Sequence, residues 1–191
     1  MSDGGYKIRN QEAIHFITFA VVGWIDVFTR TIYKDILVDG LRYCQDQKGL
    51  TVHSWVIMTN HVHLIISAKT GHGLSNILRD FKKHTSVQVL RAIEENPSES
   101  RREWMLALFR EAGNGNVRNE NRQFWRQDNH PIELSNNVMK GQRLNYVHNN
   151  PVKAGIVTNA TDYLYSSAAD YVGRKGLIDV VLLDYIIFNY P

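Results

Sequence analysis

Two apolar, β-branched runs, Leu50 to Met58 and His61 to Ser67, are separated by only Thr59 and Asn60. So short a connection leaves no room for a crossover, and the runs must pair as an antiparallel hairpin. The flanking segments then have to supply a core for it. His15 to Val22 is rich in aromatic and β-branched residues and reads as a buried strand. From Thr31 to Gln47, Ile32, Ile36, Leu37, Leu41 and Cys44 recur at helical spacing until Gly49 stops the pattern. Gly71 and Gly73 precede a long helix, Leu74 to Glu95, with an apolar stripe of Leu74, Ile77, Leu78, Phe81 and Leu90 and a basic face of Arg79, Lys82 and Lys83. Glu94 to Arg102 is charged and Gly113 to Asn121 is rich in Gly and Asn, so Trp104 to Glu111 reads as an inserted helix between loops. Gln123 to Arg126 is expected to form a short fourth strand. A last helix is expected from Asn136 to about Asn149, capped by Ser135 and ending before Pro151.

The order strand, helix, strand, strand, helix, strand, helix predicts an α+β, ferredoxin-like split βαβ sandwich, an antiparallel sheet with helices on one face and the other free for a site. A chain of 191 residues with 43% apolar content suits one domain over 1–191, with 94–122 as an inserted helix and loops and 172–191 as a C-terminal extension. Met1 to Asn10 has no signal-like apolar run, and Asp184 interrupts the late stretch Val180 to Phe188, so a soluble protein with no membrane partner is expected. The single cysteine, Cys44, excludes an intramolecular disulfide and suits a cytoplasmic location. A net charge of +3 permits a nucleic-acid partner without requiring one.

In the strand that opens His61-Val62-His63, the period of two sets both imidazoles on one face and Val62, Leu64 and Ile66 on the other. The core face is thereby supplied without the histidines, and the pair can reach one metal ion; two half-exposed strand histidines are the plainer alternative. In Asn145-Tyr-Val-His-Asn-Asn-Pro151, Tyr146 and Asn150 are four apart and would share a helix face if the helix persists to Asn150. An amide oxygen there could complete a coordination sphere beside a phenol nucleophile, which needs a polarised phosphate to be effective. Alternatively, Tyr146 packs in the core and Asn150 caps the helix. His15 and His53 read as sheet residues, His72 and His130 as loop residues, and His84 and His148 as solvated helix residues able to touch phosphate or back up the ligands. Arg79, Lys82, Lys83, Arg118, Arg122, Arg126, Lys140, Arg143 and Lys153, interleaved with Trp104, Phe124 and Trp125, could line a groove for an unpaired strand, cations on its backbone and rings against its bases.

Taken together, His15-Phe-Ile-Thr-Phe19, Trp55 to Ile66, the Leu74 to Thr85 helix with Phe81-Lys82, Phe124-Trp125, Leu144 to Val157 and Asp162 to Ala168 resemble the single-tyrosine HUH transposases, most closely the REP-associated tyrosine transposases. The resemblance spans about His15 to Tyr171. It implies that His61 and His63 are metal ligands with Asn150 as the third, that Tyr146 is the nucleophile, and that the ion is magnesium or manganese. It further implies a single-stranded DNA endonuclease and strand transferase acting on hairpin DNA through a 5′-phosphotyrosine, with a homodimer as one form. Arg79, Lys82, Lys83, Arg126, Lys140, Arg143 and Lys153 are then the expected DNA contacts. A hairpin-binding module without catalysis and a metal-dependent phosphodiesterase using water are the alternatives. Two departures stand out: Thr59 occupies a position where these proteins commonly have proline, and Pro97 to Asn121 is longer than in the simplest members.

Overall fold

In the computed structural model, which describes residues 8–114, 122–127 and 129–184, the hairpin anticipated from the Thr59-Asn60 connection is the centre of the sheet. Strands β2 (Leu50–Ile57) and β3 (His61–Ala68) pair antiparallel, with Ile57 opposite Val62 and a bulge between Val52 and Ser54. The connection is tied down from outside: the Val21 N–H donates to the Asn60 carbonyl and the Phe28 N–H to that of Thr59, both at 2.8 Å. β1 (His15–Ala20) pairs antiparallel with β3, with Thr18 opposite His63 and Ala20 opposite His61. β4 is Ile132–Glu133, and the sheet order is β2-β3-β1-β4. The fold is the expected α+β sandwich on an antiparallel sheet.

The fourth strand lies later than the sequence suggested. Within Gln123 to Arg126 only Trp125 bridges the sheet, opposite Val21. Phe124 and Trp125 instead turn into the core, against Phe28, Phe109 and Phe19. A two-residue strand carries no periodicity, whereas an aromatic pair looks like strand whether it lines a sheet or plugs a core.

Helices α1 (Thr31–Lys48) and α2 (Leu74–Glu95) cover the face that carries Ile17, Phe19, Val62 and Leu64, and Phe81 of α2 stacks on Phe19 at 5.9 Å. All four strand residues are at most 1% exposed, so the hydrophobic drive on this face is fully used. On α1 the buried aromatic is Tyr33, while Ile32 faces solvent. Tyr33 donates to Glu99, whose carboxylate is also held by Arg30 and by Arg101 at the start of α3 (Arg102–Asn114). Gly49 ends α1 in the left-handed conformation at φ +72°, its N–H donating to the Cys44 carbonyl.

α4 (Asn137–Lys153) corrects two expectations. Its cap is Asn136, which accepts from the Met139 N–H, and Pro151 lies inside the helix rather than beyond it. The buried Leu144, Val147 and Pro151 hold the last turn against the sheet, so Asn150 stays helical one turn after Tyr146 despite the usual bias of a residue before proline. α4 packs on β2 and β3, so the second sheet face is roofed, not open. The segment that follows runs along the β2 edge, where Ile57 N–H donates to Tyr165 O and Ser167 N–H to Trp55 O, pairing backbone that would otherwise be a bare edge. Ile178 and Leu183 join the same apolar cluster.

Candidate functional site

The pleat of β3 places His61 and His63 beneath α4, with ring centroids 4.7 Å apart. Each ring is oriented through Nδ1. His61 Nδ1 lies 2.7 Å from Asn60 Oδ1. That amide is itself fixed, because its Nδ2 donates to the Trp24 carbonyl and to Asp26. Oδ1 can only accept, so His61 carries its proton on Nδ1 and presents a lone pair at Nε2. His63 Nδ1 lies 2.8 Å from Thr18 Oγ1, and its Nε2 is buried with no partner among the described residues. An imidazole nitrogen buried without a partner is a costly arrangement, and a lone pair there suits an electrophile. Burial first, then the neighbouring His61 and the charge of Arg143, push the His63 pKa down to about 3. His61 is lowered too, chiefly by burial, against hydrogen bonding by Asn150 and the charge of Asp26. Both rings are therefore neutral near pH 7, the state a metal ligand requires.

The donor set fits a divalent ion. Two neutral imidazoles with outer nitrogens held by an amide and a hydroxyl are the usual support for metal-binding histidines. Among the described residues no three His, Cys, Asp or Glu side chains converge, so a third protein donor would be an amide, and the Asn150 side chain reaches His61.

Tyr146 sits one helical turn earlier. Its ring meets His63 edge-on at 5.0 Å and Phe16 at 5.9 Å, and the residue is 38% exposed, so the phenol is reachable from solvent and is not core filler. Arg143 lies over the Phe16 ring at 5.0 Å. Together with Lys153, Asn145 and Asn149 it lines a depression of about 390 Å³ beside the phenol.

His148, expected to be solvated, points inward. Its Nε2 lies 3.1 Å from Ser54 Oγ and 3.0 Å from Ser167 Oγ, its ring meets Tyr171, and burial pushes its pKa down to about 4. It pins α4 to β2 between the positions of Tyr146 and Asn150. His84 and His72 are exposed, and His15 and His53 are buried sheet residues as anticipated.

The basic residues divide between two places. Arg79, Lys82, Lys83 and Arg126 line a groove of about 770 Å³ between α2 and residues 122–127 and 129–131. Lys82 Nζ donates there to Arg126 O and Asn129 Oδ1. Arg143 and Lys153 flank Tyr146, while Lys140 lines neither depression and bonds Asn137. Arg122 pairs with Glu94, and Arg118 lies outside the described residues. Phe124 and Trp125 are at most 6% exposed and offer no ring to a ligand. Besides Tyr146, an exposed ring at the site is one the sequence did not single out: Trp24, 51% exposed, whose ring lies 5.9 Å from that of His61. A tryptophan in a loop between strand and helix has no periodicity by which to find it.

Fold and site together define an α+β sandwich with a paired-histidine centre set against a tyrosine on its last helix. Residues 13–111, just over half of the chain, match the family described as IS200-like transposases, and the protein belongs to that family, whose business is DNA transposition. The matched span includes both histidines and ends before α4. A solved REP-associated tyrosine transposase bound to a REP hairpin aligns with a TM-score of 0.65 at 18% identity, over 98% of this chain and 100% of that one, a likeness of fold. A structure from Deinococcus radiodurans aligns over 75% of this chain and 96% of that one at 18% identity, with a TM-score of only 0.44. No curated protein matches the sequence. No described helix is long and apolar enough to cross a membrane.

Proposed function

We propose that this transposase-family protein is a metal-dependent single-stranded DNA endonuclease and strand transferase that acts on hairpin-containing DNA, as in processing of repetitive palindromic elements, through a 5′-phosphotyrosine. The observation that carries the reading is the buried, unpartnered Nε2 of His63 beside the Tyr146 ring. His61, His63 and the Asn150 amide would hold the ion, for which magnesium or manganese is the expectation. When bound, it polarises a phosphate and lowers the charge a nucleophile must approach. Asn60 and Thr18 keep both rings turned toward it. α4 carries Tyr146 with its ring against that of His63, from where the phenol would face a phosphate held at the ion, and Arg143 and Lys153 would supply positive charge for the strand on either side.

The Tyr146 oxygen attacks phosphorus, forming an O–P bond as the bond to the 3′ oxygen breaks, and the phenol proton ends on the released 3′ hydroxyl. A second strand's 3′ hydroxyl then attacks the phosphotyrosine, restores a phosphodiester and returns the proton to the phenol. The bond is conserved in the covalent link, so no nucleoside triphosphate is consumed. The contact between the Tyr146 and His63 rings within one chain supports reading the set as assembled in a single protomer, with a homodimer that exchanges the tyrosine helix as the alternative.

The test is incubation of the protein with labelled stem-loop oligonucleotides carrying single-stranded flanks, in magnesium or manganese. A denaturation-resistant adduct should form and vanish in Tyr146→Phe and with chelator. An adduct formed equally well by Tyr146→Phe refutes the assignment. Metal-dependent cleavage with free ends and an active Tyr146→Phe points to water as nucleophile, and chelator-indifferent binding without cleavage points to a binding module.

A further inference from the structure

Trp24 is held in a conformation that its own chemistry disfavours. Its backbone is left-handed, at φ +55°, directly after Gly23 at φ +63°. Glycine tolerates that region, whereas a bulky side chain adopts it at a cost and usually only where the surroundings impose it. The turn is tied by the Trp24 N–H, which donates to Val21 O at 3.1 Å, and by the Asn60 amide, which donates to the Trp24 carbonyl while accepting from His61. One side chain thus helps set both the orientation of a proposed metal ligand and the backbone that projects the indole.

The indole lies outside the buried apolar cluster. It is half exposed, its ring lies 5.9 Å from that of His61, and the Arg126 guanidinium sits over it at 5.4 Å from the centroid. Arg126 also lines the basic groove that leads away along α2. Strained backbone, exposed flat ring and adjoining cation therefore converge at the rim of the histidine pair. A surface tryptophan serving only to shield His61 would not need strain to hold it half in solvent.

We infer that Trp24, with Arg126 over its ring, is the stacking platform for an unpaired nucleobase adjoining the phosphate that is cut. A base has a π-face of the right size, stacking on an aromatic side chain tolerates any sequence, and the guanidinium beside it attracts the strand's backbone. Placing the base against Trp24 fixes the neighbouring phosphate relative to His61, which makes Trp24 a positioning residue rather than a catalytic one. This rests on the reading of the site as a DNA-cleaving centre, and the experiment separates the two.

The probe is a pool of single-stranded oligodeoxynucleotides of random sequence with 5-iododeoxyuridine in place of thymidine, bound to the Tyr146→Phe protein so that no turnover intervenes. Irradiation should cross-link the peptide containing Trp24. Trp24→Gly should abolish that cross-link and weaken binding about five- to a hundredfold, the range expected for loss of one base stack. Trp24→Tyr should restore most of the affinity, and the melting temperature of Trp24→Gly should be unchanged or higher, because glycine suits the left-handed backbone. A merely structural tryptophan would lower the melting temperature and leave affinity intact. Binding by Trp24→Gly at full affinity, or cross-links that avoid this peptide, overturns the platform. Absence of a Tyr146-dependent adduct in the otherwise unaltered protein sinks the cleavage reading alone, since the cross-link reports binding without chemistry.

Discussion

Replacing His148 by alanine tests whether the site depends on how α4 is seated. The imidazole Nε2 is shared by Ser54 and Ser167 at 3.1 and 3.0 Å, and Tyr171 packs on the ring. That nitrogen has a single hydrogen or lone pair, so the two contacts amount to one hydrogen bond of roughly 1 kcal/mol net. The two hydroxyls also lie 3.0 Å from each other, so they stay paired after the ring is removed and add no large desolvation cost. The vacated ring space adds about another 1 kcal/mol, below the usual penalty for a large buried side chain because the residue is only partly enclosed. The expected loss is therefore about 2 kcal/mol, which for a domain of this size lowers the melting temperature by roughly 4–8 °C. Catalysis should suffer more than stability suggests. His148 lies between Tyr146 and Asn150 on the helix, and a shift of about 1 Å in reacting groups can cost around a hundredfold in rate. Adduct formation should accordingly fall about a hundredfold when assayed well below the new melting temperature. If the rate is unchanged while the protein melts earlier, α4 is not positioned by this contact and the reasoning fails.

Manganese at about a hundredfold excess over its dissociation constant should stabilise the protein by roughly 2.7 kcal/mol, visible as a melting-temperature rise of about 5–10 °C that chelator reverses. His63→Ala should abolish that rise, and an undiminished rise in this variant would place the ion elsewhere. Burial would raise the Glu99 pKa, but hydrogen bonds and charge from Arg101, with Tyr33, outweigh it and hold the carboxyl at about 2, below its usual 4.5. A depressed pKa adds stability that is fully present above pH 4.5 and disappears as pH falls through 2. Allowing for solvent at the Arg30 side, Glu99→Gln should cost about 2 kcal/mol in urea unfolding at pH 7 and progressively less in acid; a pH-independent difference would contradict the ion network. A Cβ at Gly49 would meet the His72 ring at 2.7 Å on a backbone with φ +72°, so Gly49→Ala should destabilise by roughly 2–4 kcal/mol. If His72→Ala recovered the whole loss, the clash alone would explain it and the left-handed strain would not.

Local pattern carried much of this architecture. The two-residue connection required a hairpin, the alternation of β3 put His61 and His63 on one face, and α2 was readable from about Leu74 to Glu95. Likewise, the spacing of four puts Asn150 one turn from Tyr146 wherever the helix persists that far. These relations hold because a strand or helix imposes its period on its own side chains.

Contacts between distant segments obey no such period. Nothing near Ile132 announced the fourth strand, because its partners, His15 and Phe16, lie more than a hundred residues away. The polar surroundings of His148 read as solvent-facing until Ser54 and Ser167 closed on it. Pro151 looked like a helix end until burial against the sheet held the turn together. Trp24 acquired its place only when Asn60, 36 residues along, caught its carbonyl. Sequence determines which way a side chain faces on its own element; burial and partners are decided by which elements meet, and that is a property of the whole fold.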